Sequence, residues 1–128
     1  MPKKSIQIPN APKPVGSYSQ AILDGQLLFV SGQIPLNPVT NELEISSIES
    51  ATKRVMLNIK ALLEAAGMQM KDIVKCSIFL TDLENFGAVN EVYSSYFEGV
   101  YPARETVEVS RLPLNVPIEI SCIASRNE

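Results

Sequence analysis

Ser19-Gln-Ala-Ile-Leu-Asp-Gly-Gln-Leu-Leu-Phe-Val-Ser31 is the stretch that decides how this chain folds. Asp24-Gly25 stands between two apolar runs, and that dipeptide in that place predicts a hairpin, because both central residues of a type I′ turn need positive φ. Gly32 closes the second strand, and Gln33-Ile-Pro-Leu-Asn-Pro38 cannot remain in a ladder. Along the hairpin, Ile22, Leu23, Leu27, Leu28, Phe29 and Val30 place apolar groups on both faces. A sheet built on this hairpin needs cover on two sides.

The rest of the chain supplies cover for one of them. Before the hairpin, Pro2, Pro9, Pro12 and Pro14 make the first 17 residues an extended segment rather than a separate domain. After it, Glu49 to Ala66 reads as a helix with Ala51, Val55, Ile59, Leu62, Leu63 and Ala66 on one face. Ser46 with Glu49 resembles a capping box, and Gly67 supplies the stop. Ile73–Thr81 reads as a strand with Val74, Cys76, Ile78 and Leu80 on one face. A second helix spans about Asn85 to Phe97, with Phe86, Val89, Tyr93 and Phe97 at helical spacing as core. Strands near Arg104–Ser110 and Ile118–Ser125 complete the order. This is an α+β fold in one domain, residues 1–128, with two helices on one face of a mixed sheet. Two helices leave the other face bare, so further copies of the chain are expected to bury it.

Composition narrows the chemistry. The chain has no histidine, which removes Ser-His-Asp and Cys-His nucleophiles, HExxH zinc sites and histidine-ligated haem. It has no Walker loop and no GxGxxG. A net charge of −3 and a pI near 5.0 argue against a partner held through its phosphates. No apolar run approaches the ~20 residues that cross a bilayer, and prolines break any signal-like core, so a cytoplasmic location is expected. Cys76 and Cys122 fall in apolar strand patterns and read as reduced core residues.

What remains is carboxylates, arginine, hydroxyls and water. Tyr101-Pro-Ala-Arg-Glu-Thr-Val-Glu-Val-Ser-Arg-Leu-Pro113 sets Arg104 at the head of a strand, with Thr106 and Glu108 on its face and Val107 and Val109 on the other. A guanidinium fixed on a strand suits a small carboxylate, gripped by two parallel hydrogen bonds. Pro117-Ile-Glu-Ile-Ser-Cys-Ile-Ala124 carries one acid, Glu119, in an otherwise apolar strand. An arginine for the substrate and an acid for a water make a hydrolytic site; the plainer alternative is an Arg104–Glu119 ion pair at an interface.

These residues also carry a resemblance. Ala11-Pro12, Gly16-Ser-Tyr-Ser-Gln20, Val30-Ser-Gly-Gln-Ile-Pro35, Asn58-Ile-Lys-Ala61, Glu64-Ala-Ala-Gly67, Asp72-Ile-Val-Lys75 and Asp82-Leu83 match, in order, the reactive-intermediate deaminases of the RidA/YjgF type. Asn90, Tyr93, Pro102-Ala-Arg104, Val107-Glu-Val109, Arg111-Leu-Pro113 and Ile118-Glu-Ile120 extend the likeness almost end to end. The resemblance implies a chorismate-mutase-like fold, a homotrimer with a barrel core and a cleft between neighbouring subunits. It implies hydrolysis of 2-imino and 2-enamino acids, such as the tautomers of 2-aminoacrylate, to 2-oxo acids and ammonia, with no cofactor or metal. Residue by residue, Arg104 matches the carboxylate anchor and Glu119 the acid that directs water. Tyr18, Ser31, Gly32, Phe86 and Asn90 match positions lining the cleft. Thr106 stands where many members have cysteine, which removes a thiol nucleophile, and Glu105 replaces a small residue, which bears on substrate preference. The alternatives are a non-catalytic trimeric binder of 2-oxo acids and an RNA-binding or ribonuclease-like relative.

Overall fold

The structure, a computed structural model, describes residues 2–9, 11, 14 and 16–126, so Pro12 of the quoted match lies outside the described residues. Six strands and two helices follow in the order β1 (Lys4–Ile6), β2 (Ala21–Asp24), β3 (Leu27–Gln33), α1 (Ile48–Ala65), β4 (Ile73–Leu80), α2 (Phe86–Ser94), β5 (Ala103–Glu108) and β6 (Ile118–Ser125). They form one sheet in the order β1-β2-β3-β6-β4-β5. The β4–β5 pair, joined through α2, is parallel; the other pairs are antiparallel. The expected mixed α+β sheet is therefore present.

Local chemistry differs from expectation in instructive places. Of the N-terminal segment expected to be extended, Lys4–Ile6 joins the sheet against Leu23–Ala21, and a turn follows in which the Ala11 amide donates to the Ile8 carbonyl at 3.2 Å. The hairpin forms with Asp24 paired to Leu27, so the turn is centred on Gly25-Gln26. Gly25 has φ of 63° and Gln26 is not in the positive-φ region, the pattern of a type II′ turn rather than I′. Helix α1 is capped by Ser47, not Ser46: the Ser47 side chain accepts a 3.0 Å bond from the Ser50 amide. At its far end the Gly67 and Met68 amides donate to the Glu64 and Leu63 carbonyls at 3.0 and 2.8 Å, closing a Schellman motif. In β4, a bulge between Ile73 and Lys75 turns Val74 outward, 47% exposed, and Ile73 takes the inner place. Helix α2 stops at Ser94, so Phe97 reaches the core from the turn that follows.

One face of the sheet is closed. Leu28, Val30, Cys76, Ile78, Leu80, Ile118, Ile120, Cys122 and Ala124 pack under Val55, Met56, Ile59, Leu62 and Leu63 of α1 and Val89 and Tyr93 of α2. Both cysteines are free and buried. The opposite face remains open: Leu27, Phe29 and Val107 stay 39%, 41% and 42% exposed. Among the described residues no helix is long and apolar enough to cross a membrane.

Candidate active site

Arg104 lies on β5, at the edge of the sheet, in register with Cys76, which sends its side chain to the helix-covered face. There it meets α2. Phe86, Asn90 and Tyr93 fall at i, i+4 and i+7 and form one stripe along that helix. The guanidinium carbon sits 5.3 Å from the Phe86 ring centroid and 5.0 Å from that of Tyr93. Nη1 donates a 2.7 Å bond to Asn90 Oδ1. Stacking and one neutral acceptor fix the plane of the guanidinium without cancelling its charge. Neither ion pair found among the described residues involves Arg104. A cleft of about 480 Å³ opens beside it, lined by Asn90, Tyr93, Ser94, Tyr101, Pro102 and Arg104. Thr106 shares the face, and its Oγ1 is buried with no hydrogen-bond partner. An oriented guanidinium without an ion-pair partner can receive an anion.

Glu119 occupies β6, in register with Phe79, and so points to the other face, away from the helices. Opposite it, β3 shifts register between Val30 and Gln33, so Ser31 and Gly32 form a bulge. Gly32 lets the acid sit close: a Cβ there would lie 2.1 Å from Glu119 Oε2. Ser31 ties the bulge to the incoming chain, its Oγ donating to the Ser19 carbonyl at 2.6 Å and its amide to the Gln20 carbonyl at 2.9 Å. Tyr18, one residue earlier, lines a cavity of about 410 Å³ together with Gly32, Gln33 and Asn58. Burial raises the Glu119 pKa above its usual 4.5. Among the described residues nothing donates a hydrogen bond to this carboxylate or pairs with it. An unpartnered carboxylate of raised basicity is suited to taking a proton from water.

The expected site residues thus fall into two groups. Arg104, Thr106, Phe86 and Asn90 come together at one wall; Ser31 and Gly32 stand beside Glu119 at another, and Tyr18 shares a cavity with Gly32. The two walls are on opposite faces of one sheet, and neither the cleft beside Arg104 nor the cavity beside Gly32 is lined by residues of both. Arg104 and Glu119 of one chain therefore do not meet. Glu105 belongs to neither wall. It faces away from Arg104, accepts a bond from Ser77 Oγ and lies 3.4 Å from Lys75 Nζ. The Ser77 hydroxyl, helped by Lys75, lowers its pKa.

Tyr93 was expected only as core. It is core, at 2% exposure, and also the floor under Arg104. Its spacing from Phe86 and Asn90 was the available signal. Asn58 falls within a segment of the family match, and a polar residue on the apolar side of α1 is the sequence signal that marks it.

Comparison with known proteins agrees with this architecture. Residues 8–126 match the family model described as Endoribonuclease L-PSP. A RutC family protein of Pyrococcus abyssi is 52% identical over 124 residues, covering 97% of this chain and 98% of that one. The 2-iminobutanoate/2-iminopropanoate deaminase of Escherichia coli is 42% identical over 126 residues, covering 96% and 98%. Among solved structures, E. coli TdcF with bound serine superposes with a TM-score of 0.91 at 39% identity, covering 97% of this chain and 99% of the other.

Proposed function

The chain belongs to the Endoribonuclease L-PSP family, and from that membership we propose that it is a hydrolytic deaminase of small 2-imino acids, working in a crevice between two subunits. One observation supports the reading: each chain carries the oriented guanidinium of Arg104 on one face of its sheet and the unpartnered carboxylate of Glu119 on the other. In a closed ring of like copies each interface joins two different faces, an arrangement that allows Arg104 of one subunit to face Glu119 of the next. A homotrimer is the assembly we infer.

The chemistry then needs little else. Arg104 grips the substrate carboxylate, and each charged hydrogen bond contributes about 1.5–3 kcal/mol. Asn90, Phe86 and Tyr93 hold the guanidinium in the plane that a carboxylate matches. The imine carbon is already electrophilic. On the protonated imine, Glu119 takes a proton as the water oxygen bonds to that carbon and the C=N π bond opens, giving a neutral carbinolamine; returning the proton to nitrogen lets the C–N bond break and ammonia depart as the hydroxyl proton passes to Glu119, leaving the carbonyl. Such acid–base assistance gives about 10²–10⁴-fold. The product is the 2-oxo acid, and the cycle calls on no cofactor or metal. Thr106 Oγ1, buried beside Arg104 without a partner, supplies a hydroxyl for the guest. Serine in the TdcF structure supports a small carboxylate as the ligand class. A ribonuclease reading is disfavoured by the net charge of −3 and the absence of histidine.

Mixing two inactive variants tests both the roles and their division between chains. Arg104→Ala and Glu119→Gln should each lose ammonia release. After subunit exchange at equal amounts, activity should return to about a quarter of wild type, since one crevice in four then pairs an intact arginine with an intact acid. No recovery in verified mixed oligomers would place both residues in one chain's site. Full activity in either variant alone would remove that residue from the mechanism.

A further inference from the structure

Asn58 lies within α1 among Val55, Ile59 and Leu62 and is 3% exposed. An amide in that position is costly unless its polar atoms are engaged. Its Nδ2 donates to the carbonyls of Ile34 at 3.2 Å and Leu36 at 3.0 Å. Two carbonyl acceptors can be faced only by the amide nitrogen, so the side-chain orientation is determined. Those carbonyls belong to the segment that leaves the Ser31-Gly32 bulge. Within it, the Leu36 amide donates to Ile34 at 2.7 Å, the Glu44 amide to Pro35 at 2.8 Å, and Gln33 Nε2 back to Ser31 at 3.1 Å. The carbonyls that α1 holds thus sit two to four residues along the chain from Gly32, whose backbone lies so near the Glu119 carboxylate that a Cβ would not fit between them. Asn58 also lines the cavity shared by Tyr18 and Gly32, and its Oδ1 is buried with no partner. An unused buried acceptor beside a candidate site calls for an account beyond stability.

Resting on the deaminase reading, we propose that Asn58 is a positioning residue for Glu119: by clamping the 34–36 segment it holds the Gly32 bulge against the carboxylate and fixes where its water-activating oxygen points. None of these contacts reaches the Arg104 wall. The inference therefore separates the two steps. Loss of the clamp should blunt hydrolysis and leave anchoring of the substrate carboxylate alone.

The test compares assembled wild type with Asn58→Ala and Asn58→Ser. We expect kcat to fall about 10- to 100-fold in the alanine variant and less in the serine variant, which retains one donor, with KM within about twofold in both. The acid limb of the kcat/KM profile should move to lower pH in both, along with the midpoint of the Glu119 carboxyl ¹³C titration, because a loosened segment admits water to the acid. A kcat within about threefold of wild type, a KM rising in step with the loss, or a lowered kcat with both pH readouts unmoved would each overturn it. If the alanine variant does not fold, the serine variant decides by the same criteria. Glu119→Gln run alongside separates the failures: wild-type ammonia release from it would sink the deaminase reading. The titration midpoint, which needs no turnover, still decides whether Asn58 governs the carboxylate's surroundings.

Discussion

Arg104 and Glu119 show how differently two charged side chains can be prepared by one sheet. The guanidinium is ringed by Phe86, Tyr93 and Asn90, so its charge is oriented but not neutralised. The carboxylate is only desolvated, and burial is the sole cause of its raised pKa. A carboxyl whose folded pKa exceeds its unfolded one contributes stability that is complete below the unfolded pKa and lost as pH rises through the folded pKa. Glu119→Gln has no charge to bury and escapes that loss. In thermal melts of the dissociated chain, where no second copy's Arg104 faces the acid, the variant should unfold above wild type at pH 7, and the gap should close as pH falls below 4.5. A variant melting below wild type at pH 7 would mean that the carboxylate has a favourable partner. At this scale the sequence was informative about identity: a lone acid between Ile118 and Ile120 and an arginine heading an alternating strand are visible by inspection. The contact of Glu119 with Gly32 was not, because it depends on the register shift in β3, which strand periodicity does not encode.

Among the elements, the helix stripe and strand alternation were readable because burial on one face imposes a period. Their ends and irregularities were not. Two adjacent serines, Ser46 and Ser47, offer the same side chain to the start of α1, and only backbone geometry selects Ser47, with φ −151° and ψ 161°. Ser47→Ala should therefore cost about 1 kcal/mol in chemical denaturation, whereas Ser46→Ala should leave the midpoint nearly unchanged. The reverse ranking would reinstate Ser46 as the cap. The outward turn of Val74 has a similar origin: a bulge adds one residue, and the alternating pattern inverts beyond it. β1 escaped notice because a three-residue strand is too short to show a period.

For the whole molecule, the hairpin's apolar residues on two faces gave the clearest statement in the sequence. Leu28 and Val30 are under the helices; Leu27 and Phe29 lie open. We expect Phe29→Glu to hold like charges against one another at the face where copies meet, and so to prevent assembly. Sedimentation should find a monomer with native circular dichroism, and ammonia release should drop at least about tenfold, although both walls stay intact in every chain. A fully assembled, active variant would move the subunit contact elsewhere. The placement of the two walls has a consequence for how such a molecule changes over time. Replacements around the guanidinium and replacements around the acid lie on opposite faces of the sheet within a chain, so their effects on a chain's folding stability should combine nearly additively. Guest preference can then drift by remodelling one side of the crevice, while the machinery that delivers solvent is inherited unaltered from the other.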